Sequence, residues 1–215
     1  MKKDEAKKLK NVALLSVYSP ISEVDTSNTG SSLVTIITER VQSDKLSMEP
    51  TLNKTKELIF KKKKMLFPFN LASESSVLGE KAVNDIPKSK DIINSPCAAT
   101  GYPVVKVNSK EEAVSFLSKS KRYDAAMIVS VFTSLEKSGI SIMGISAGRM
   151  IASTKLAIWV YDRNGEIILR HQVSGKSDNS IAQFMGWYKV REVNEISAES
   201  AEAAVQAFTD WMKTI

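Results

Sequence analysis

The chain has 215 residues, 43% hydrophobic and 25% charged, a balance typical of a globular protein that can bury a substantial core. Its net charge of +6 is a mild basic excess that does not by itself identify an anionic partner. A single cysteine, Cys97, excludes an internal disulfide and a cysteine-based zinc cluster, and any catalytic triad would have to be built around one histidine, His171. No apolar run approaches the roughly 20 residues that span a bilayer.

The first half of the chain alternates short apolar runs with polar connections. The run NVALLSVY at 11–18 predicts a buried first strand. The β-branched segment 33–41 favours a strand, although the spacing of its apolar residues also fits a helix. The other predicted elements of this half are a polar loop at 22–32, a helix at 47–66 ended by Pro68, a second helix at 71–86 and a connection at 87–101.

The second half has clearer signals. Ser109 is a suitable N-cap for a helix at 110–121, because its hydroxyl can accept a free backbone N–H of the first turn. The acidic residues Glu111 and Glu112 follow in that turn, where the helix dipole favours negative charge. The run AAMIVSVF at 125–132 is apolar on both faces, which is typical of a central strand covered on two sides. The other predicted elements of this half are a strand at 102–107, a mobile loop or partly paired edge at 136–148, a turn at 174–180, a strand around 187–193 and a final helix capped by Ser197.

A β-hairpin is predicted between residues 151–161 and 166–173. The dipeptide Asn164-Gly165 lies between these two β-rich runs and is a strong hairpin signal, because both residue types accept positive φ. Alternation in the first strand predicts two opposite faces, one with Leu156, Ile158 and Val160 and the other with Ala157, Trp159 and Tyr161.

Together these elements predict an α/β (α+β) fold in a single domain, 1–215. We expect a mixed β-sheet with a long β-hairpin and packed helices, the last of which covers one face. The expected central strands are 11–18, 103–107, 125–132 and the hairpin 151–173, with a charged extension at 1–10 and a helical insertion at 42–100.

Three stretches carry a resemblance to known proteins: NVALLSVY at 11–18, YDAAMIVSVF at 123–132 and STKLAIWVYDRNGEIILRHQVSG at 153–175. They are similar to a group of bacterial envelope domains that includes the curli-secretion lipoproteins, the amino-terminal domain of the Tol-system translocation protein and the lipoprotein activators of peptidoglycan synthases. The segment 42–100 departs from that pattern, and no lipidation cysteine stands near the start. The resemblance implies a non-enzymatic envelope protein that binds other proteins or helps to assemble a complex.

Two motifs resemble a phosphate-binding loop and a serine nucleophile, but the neighbouring sequence does not fit either site. Gly175-Lys176-Ser177 matches the end of a phosphate-binding P-loop, but the upstream position that requires glycine is Arg170. Ser146 in GISAG fits G-x-S-x-G, but a nucleophile elbow needs a helix after the serine, and the spacing to His171 is wrong. A turn and a loop are therefore the favoured interpretations.

The remaining single candidates are also favoured as structural residues. His171 has no second histidine or cysteine near it, Asp162 precedes a turn, and Cys97 has no evident activating neighbour. We therefore predict no catalytic, cofactor-binding or metal-binding residue and no cofactor.

The most distinctive surface feature is the lysine run at 61–64, with aromatic residues on both sides. Such a cluster could bind anionic lipid or nucleic acid, but consecutive lysines spread around a helix, which favours a solvated face with aromatics in the core. The candidate interaction surface consists of Lys61, Lys62, Lys63, Lys64, Phe67, Phe69, Ile142 and Met143.

Three functional hypotheses follow. The first is an adaptor or assembly factor of the bacterial envelope that contacts other envelope proteins and self-associates through strand edges and the loop 136–148. The second is a small-molecule-binding protein or hydrolase with a site near His171 that also uses Arg149 and Asp162. The third is a peripheral binder that uses Lys61–Lys64, with an anionic membrane favoured over nucleic acid.

The compartment depends on what precedes Met1. We expect the periplasm, with a lipid anchor if a signal peptide and a lipidation cysteine come before it, and the cytoplasm otherwise.

Overall fold

The computed structural model describes residues 8–20, 24–26, 46–73, 109–138, 141–142, 145–184 and 188–214. The strands are β1 (Asn11–Tyr18), β2 (Asn70–Ser73), β3 (Ala125–Ser138), β4 (Ser141–Ile142), β5 (Ile145–Asp162), β6 (Ile167–Lys176) and β7 (Ile181–Phe184). The helices are α1 (Glu49–Leu66), α2 (Ser109–Lys119) and α3 (Val190–Lys213).

The described strands belong to one mixed sheet, as predicted. Its central order is β2-β1-β3-β5, and β1 runs parallel to both of its neighbours. β3 and β5 form a long antiparallel pair from Ala125↔Asp162 to Ser138↔Arg149. On the other side of β5, its second half pairs with β6 and its first half with β7. The fold class is therefore confirmed: a mixed β-sheet with a long hairpin and packed helices.

Strand alternation produces a core on each side of the sheet. In β1, Val12 and Leu14 belong to the larger core, which α1 and α3 cover, whereas Ala13 and Leu15 belong to a smaller core under α2. In β5 the predicted alternation is confirmed, with Leu156, Ile158 and Val160 in the larger core and Tyr161 in the smaller one. The final helix covers one face of the sheet, as predicted, and buries Phe208 there.

Several predicted elements match closely. The strand at 11–18 is β1, the helix at 47–66 is observed from Glu49 to Leu66, and the helix at 110–121 is observed from Ser109 to Lys119. The strand at 125–132 and both hairpin strands form where predicted but extend further, because each long strand finds a partner along its length.

The prediction of a helix from residue 71 is wrong at its start. Asn70–Ser73 forms β2, because its backbone pairs with the open edge of β1 and Leu71 is buried in the larger core. The rest of that predicted helix lies outside the described residues.

The predicted start of the last helix is also wrong. α3 begins at Val190 with Lys189 as N-cap, so residues 190–193 are helical and do not form the predicted strand. Val193 and Ile196 are buried and extend the apolar stripe by two turns toward the amino terminus. Ser197 therefore lies inside the helix, buried, and does not cap it.

The segment 136–148 was predicted as a mobile loop or a partly paired edge, and its described residues are paired, whereas the predicted turn at 174–180 begins as strand. Residues 136–138 of β3 pair with β5, residues 145–146 of β5 pair with β4, and residues 147–148 of β5 pair with β7. β6 continues to Lys176. The predicted elements at 33–41, 87–101 and 102–107, and Cys97 with them, lie outside the described residues. None of the helices that the structure describes combines the length and apolar composition needed to cross a bilayer.

Candidate functional site

On its smaller-core side, the described helices cover only part of the sheet. α2 buries Ala113 and Leu117 against residues of β1 and β3, and it leaves much of the β5–β6 surface open. The side chains of β5 and β6 on this open part are half-buried or exposed, and we call them the hairpin face. They are Lys155, Ala157, Trp159, Arg170 and Gln172.

The strand register assembles the hairpin face. Trp159 lies opposite Arg170, and Ala157 lies opposite Gln172. These four residues, with the backbone of His171 between Arg170 and Gln172, line a shallow depression of about 250 Å³. Cross-strand neighbours on one face lie about 5 Å apart, so the indole, guanidinium and amide groups can contact one ligand surface together.

The hairpin face is positively charged. At its border, Lys176 Nζ lies 2.6 Å from Glu136 Oε2, and this hydrogen bond holds the pKa of the Glu136 carboxyl below its usual value. Lys155 adds a weaker attraction to the same carboxylate. The guanidinium of exposed Arg170 has neither a hydrogen bond nor an ion pair with any residue in the described part of the chain, so its five donors face solvent.

His171 lies on the opposite side of the sheet from the hairpin face. Its ring stacks on Trp211 of α3, with centroids 3.5 Å apart and planes 6° apart. Burial of the ring lowers the pKa of His171 below its ordinary value of 6.5, because desolvation disfavours the charged form. The geometry is that of a packing residue at the border of the larger core.

The predicted grouping of His171 with Arg149 and Asp162 does not occur. His171 lies opposite Ile158 in β5, so Asp162 is four residues away along β5, or about 13 Å, and Arg149 is nine residues away, or about 30 Å. The alternative of a site that gathers these three residues is therefore contradicted by the register.

Asp162 has the turn role that the sequence predicted. Its Oδ1 accepts the backbone N–H groups of Asn164, at 2.9 Å, and Glu166, at 2.8 Å. Gly165 has a φ of 76°, the left-handed conformation that glycine adopts without strain.

Sequence reasoning missed the role of Arg163 in this turn. Its guanidinium donates to the carbonyls of Leu117, Ser120 and Tyr123 and so holds the hairpin turn against the end of α2. No local signal could have shown this, because the acceptors are main-chain groups distant in sequence.

The two motifs with catalytic resemblance lack the required context. Ser177 Oγ accepts the N–H of Ala152 at 3.0 Å, and the strand β7 follows, where a P-loop would need a helix. Ser146 lies within β5, where its backbone pairs with Ser141, and not on a strand-to-helix turn. Within the described ranges, no group of three or more His, Cys, Asp or Glu side chains could hold a metal ion.

Three of the four lysines at 61–64 are exposed to solvent. Lys61, Lys63 and Lys64 are exposed, whereas Lys62 Nζ donates to Gln206 Oε1 of α3 at 2.7 Å. Lys63 Nζ lies 5.9 Å from the ring centroid of half-buried Phe60.

The aromatic part of the candidate interaction surface is not at the surface. Phe67 and Phe69 are buried, stack on each other with centroids 5.0 Å apart, and belong to the larger core. Their inclusion in that surface was wrong, because the chain turns inward after α1 to enter β2. Ile142 of β4 pairs through its backbone with Ile145 of β5, and Met143 lies outside the described residues.

Comparisons with known proteins give no family for this chain. No family model matches it, and no curated protein matches it. Among solved structures, a protein from Helicobacter pylori described as a neuraminyllactose-binding hemagglutinin homolog is 10% identical, with 95% of this chain and 83% of that chain covered and a TM-score of 0.37. A Xanthomonas campestris protein assigned to the DUF330 family is 7% identical, with 95% and 81% covered and a TM-score of 0.25. Structural similarity at TM-scores this low supports no inference about function.

Proposed function

We propose that this chain is a non-enzymatic adaptor or assembly protein of the bacterial envelope that binds a partner protein through the hairpin face. The observation that carries the proposal is the pair Trp159–Arg170, side by side on a part of the sheet that no described helix covers. Tryptophan and arginine are enriched among the residues that supply most of the binding free energy of interfaces. The indole buries a large area for two rotatable bonds, and the guanidinium offers five hydrogen-bond donors in a fixed plane.

The charge of the hairpin face indicates the charge of the partner surface. Glu136 and Lys176 largely neutralise each other at the border of the hairpin face, which leaves Arg170 and Lys155 as its cationic groups. An acidic protein surface with an apolar residue to cover Trp159 is complementary to this arrangement. Arg170 favours a carboxylate in particular, since a guanidinium can donate two parallel hydrogen bonds to it.

Two further observations support the proposal. The stretches that resemble envelope proteins form the first strand, the third strand and the hairpin, which are the elements that the resemblance requires. The reactive candidates His171, Asp162 and Ser146 lie far apart along β5 and β6, and each has a packing, turn or strand role. The envelope location, periplasmic with or without a lipid anchor, remains part of the proposal.

Site-specific photo-crosslinking in the native organism tests the proposal. A photoreactive residue at Gln172 should give one discrete protein adduct, and the same residue at exposed Glu202 on α3 should not. The change Trp159→Ala should abolish the adduct at Gln172, since loss of an interface hot spot weakens binding by about 2 kcal/mol or more.

Three results would contradict the proposal. The first is no adduct at Gln172, and the second is the same adduct at both positions. The third is an adduct unaffected by Trp159→Ala. An adduct of two copies of this chain would instead assign the hairpin face to self-association.

A further inference from the structure

All three described helices end at the same end of the sheet. β1, β2 and β3 are parallel and start together there, with the N–H of Asn70 bound to the Lys10 carbonyl and the N–H of Asp124 to the Asn11 carbonyl, each at 2.9 Å. α1 and α2 lead into the starts of β2 and β3, so they end there too. α3 runs alongside α1 in the same direction, since Lys62 meets Gln206 and Phe67 meets Phe208. We call this the basal end.

The basal end collects exposed basic side chains from stretches that are far apart in sequence. Two acidic residues nearby are engaged: Asp124 accepts the N–H groups of Lys10 and Asn11, and Asp210 pairs with Lys213. Besides Lys213, which pairs with Asp210, and Arg163, which donates to main-chain carbonyls, the exposed basic residues here are Lys8, Lys10, Lys61, Lys63, Lys64, Lys119, Lys121 and Arg122.

Helix direction explains this polarity in part. Basic residues stand in the last turns of α1, α2 and α3, and acidic residues in their first turns, as the helix dipole favours. Because all three helices end at the basal end, their basic last turns lie at that end and their acidic first turns point away from it. Lys8, Lys10, Lys121 and Arg122 lie outside the helices, so the dipole does not account for them.

We propose that the basal end docks on an anionic membrane surface, a property beyond the proposed partner binding. Each lysine held close to anionic lipid strengthens binding about fivefold, and the attraction needs only point charges near the surface. Half-buried Phe60, beside Lys63, and half-buried Leu9, between Lys8 and Lys10, can enter the interfacial region of the bilayer.

The composition favours lipid over nucleic acid. Lysine predominates, and of the two arginines at this end Arg163 is engaged by three main-chain carbonyls. Recognition of bases and of single strands relies on arginine and on exposed aromatic platforms. Among the described residues of the basal end, the ring beside Lys63 belongs to half-buried Phe60 and the ring beside Arg122 to buried Tyr123, so neither ring is an exposed platform.

Vesicle sedimentation of the whole chain tests this proposal. The protein should bind phosphatidylglycerol-containing vesicles, should not bind pure phosphatidylcholine vesicles, and should be released by added salt. The triple change Lys61→Glu, Lys63→Glu and Lys64→Glu should lower the affinity at least about a hundredfold. The triple change Lys8→Glu, Lys10→Glu and Lys121→Glu, in other elements of the same end, should do the same.

A matched control changes the net charge equally away from the basal end. Arg149→Glu, Lys189→Glu and Arg191→Glu alter exposed residues of β5 and of the start of α3, and this variant should bind within about threefold of the parent. Thermal melting followed by circular dichroism verifies that each variant is folded.

The proposal is overturned if the parent protein ignores anionic vesicles or if the control loses as much affinity as the basal variants. It is equally overturned if only one of the two basal variants loses affinity. Duplex or single-stranded DNA that displaces the protein from vesicles at equal charge concentration would assign the basal end to nucleic acid instead.

Discussion

Gly175 of β6 lies directly against the backbone of α3, where a Cβ on Gly175 would come within 2.1 Å of the Ala204 nitrogen. It would also meet the Ala203 carbonyl carbon at 2.5 Å and the Ser200 oxygen at 2.7 Å. Since these are main-chain atoms of a helix, they cannot rotate away. We therefore expect Gly175→Ala to lower the free energy of unfolding by about 3 kcal/mol, because α3 must move off the sheet.

Gly165→Ala is the matched comparison, measured by the same urea denaturation. Gly165 needs positive φ, but a Cβ there would meet mainly side-chain atoms of Lys110 and Val114, which can adjust. The expected loss is about 1–2 kcal/mol. Equal losses for the two variants, or none for Gly175→Ala, would mean that α3 packs less closely than described.

A chain of hydroxyl groups is buried between the sheet and α3. Thr154 Oγ1 lies 2.7 Å from Thr133 Oγ1 and 2.6 Å from Ser200 Oγ, which donates to the Ser197 carbonyl. Thr154→Val removes the middle member and leaves Thr133 without its partner, so we expect a loss of about 2 kcal/mol in unfolding free energy. The combined variant Thr133→Val, Thr154→Val and Ser200→Ala should lose no more than the single variant, since none of these three positions then keeps a hydroxyl without its partner. A simple sum of three losses would contradict this account.

Arg163 joins the hairpin turn to the end of α2 through three carbonyl acceptors. Arg163→Gln should lower the unfolding free energy by about 2 kcal/mol, because the shorter side chain leaves acceptors without a donor. Arg122→Gln, at an exposed position nearby where the guanidinium lies over the Tyr123 ring, should change it by less than about 1 kcal/mol. Thermal or urea unfolding of both variants measures the difference, and equal effects would remove Arg163 from its structural role.

His171 should titrate below its ordinary pKa of 6.5, because burial against Trp211 disfavours the charged ring. The folded protein then binds this proton more weakly than the unfolded chain does. Its contribution to stability is therefore present above pH 6.5 and is lost as pH falls toward the folded-state pKa.

Nuclear magnetic resonance can follow this titration directly, since His171 is the one histidine in the chain. Trp211→Ala should return the pKa toward 6.5 by exposing the ring to water. A pKa at or above 6.5 in the parent protein would show that attraction between the charged ring and the indole outweighs desolvation.

Local patterns were enough to predict the strand at 11–18, the helix ending at Leu66, the central strand and the hairpin with Asp162 in its turn. Each depends on alternation, helical periodicity or turn chemistry within a few neighbouring residues, and such interactions are encoded side by side in the chain. The same local reading failed at 70–73, where the open edge of β1 turns a short apolar run into a strand. It failed again at Ser197, which buried neighbours at Val193 and Ile196 place inside α3.

Both candidate surfaces depend on which elements pack together, and no local pattern contains that information. Trp159 and Arg170 became a candidate site because α2 covers only part of its face of the sheet. Phe67 and Phe69 do not belong to the predicted interaction surface, because the chain enters β2 through the larger core. The lysines at 8–10, 61–64 and 119–121 share one end of the molecule because parallel strands place three separate helix ends and strand starts together. Periodicity reports the side of an element that is buried, whereas non-local packing determines what covers that side and which distant charges become neighbours.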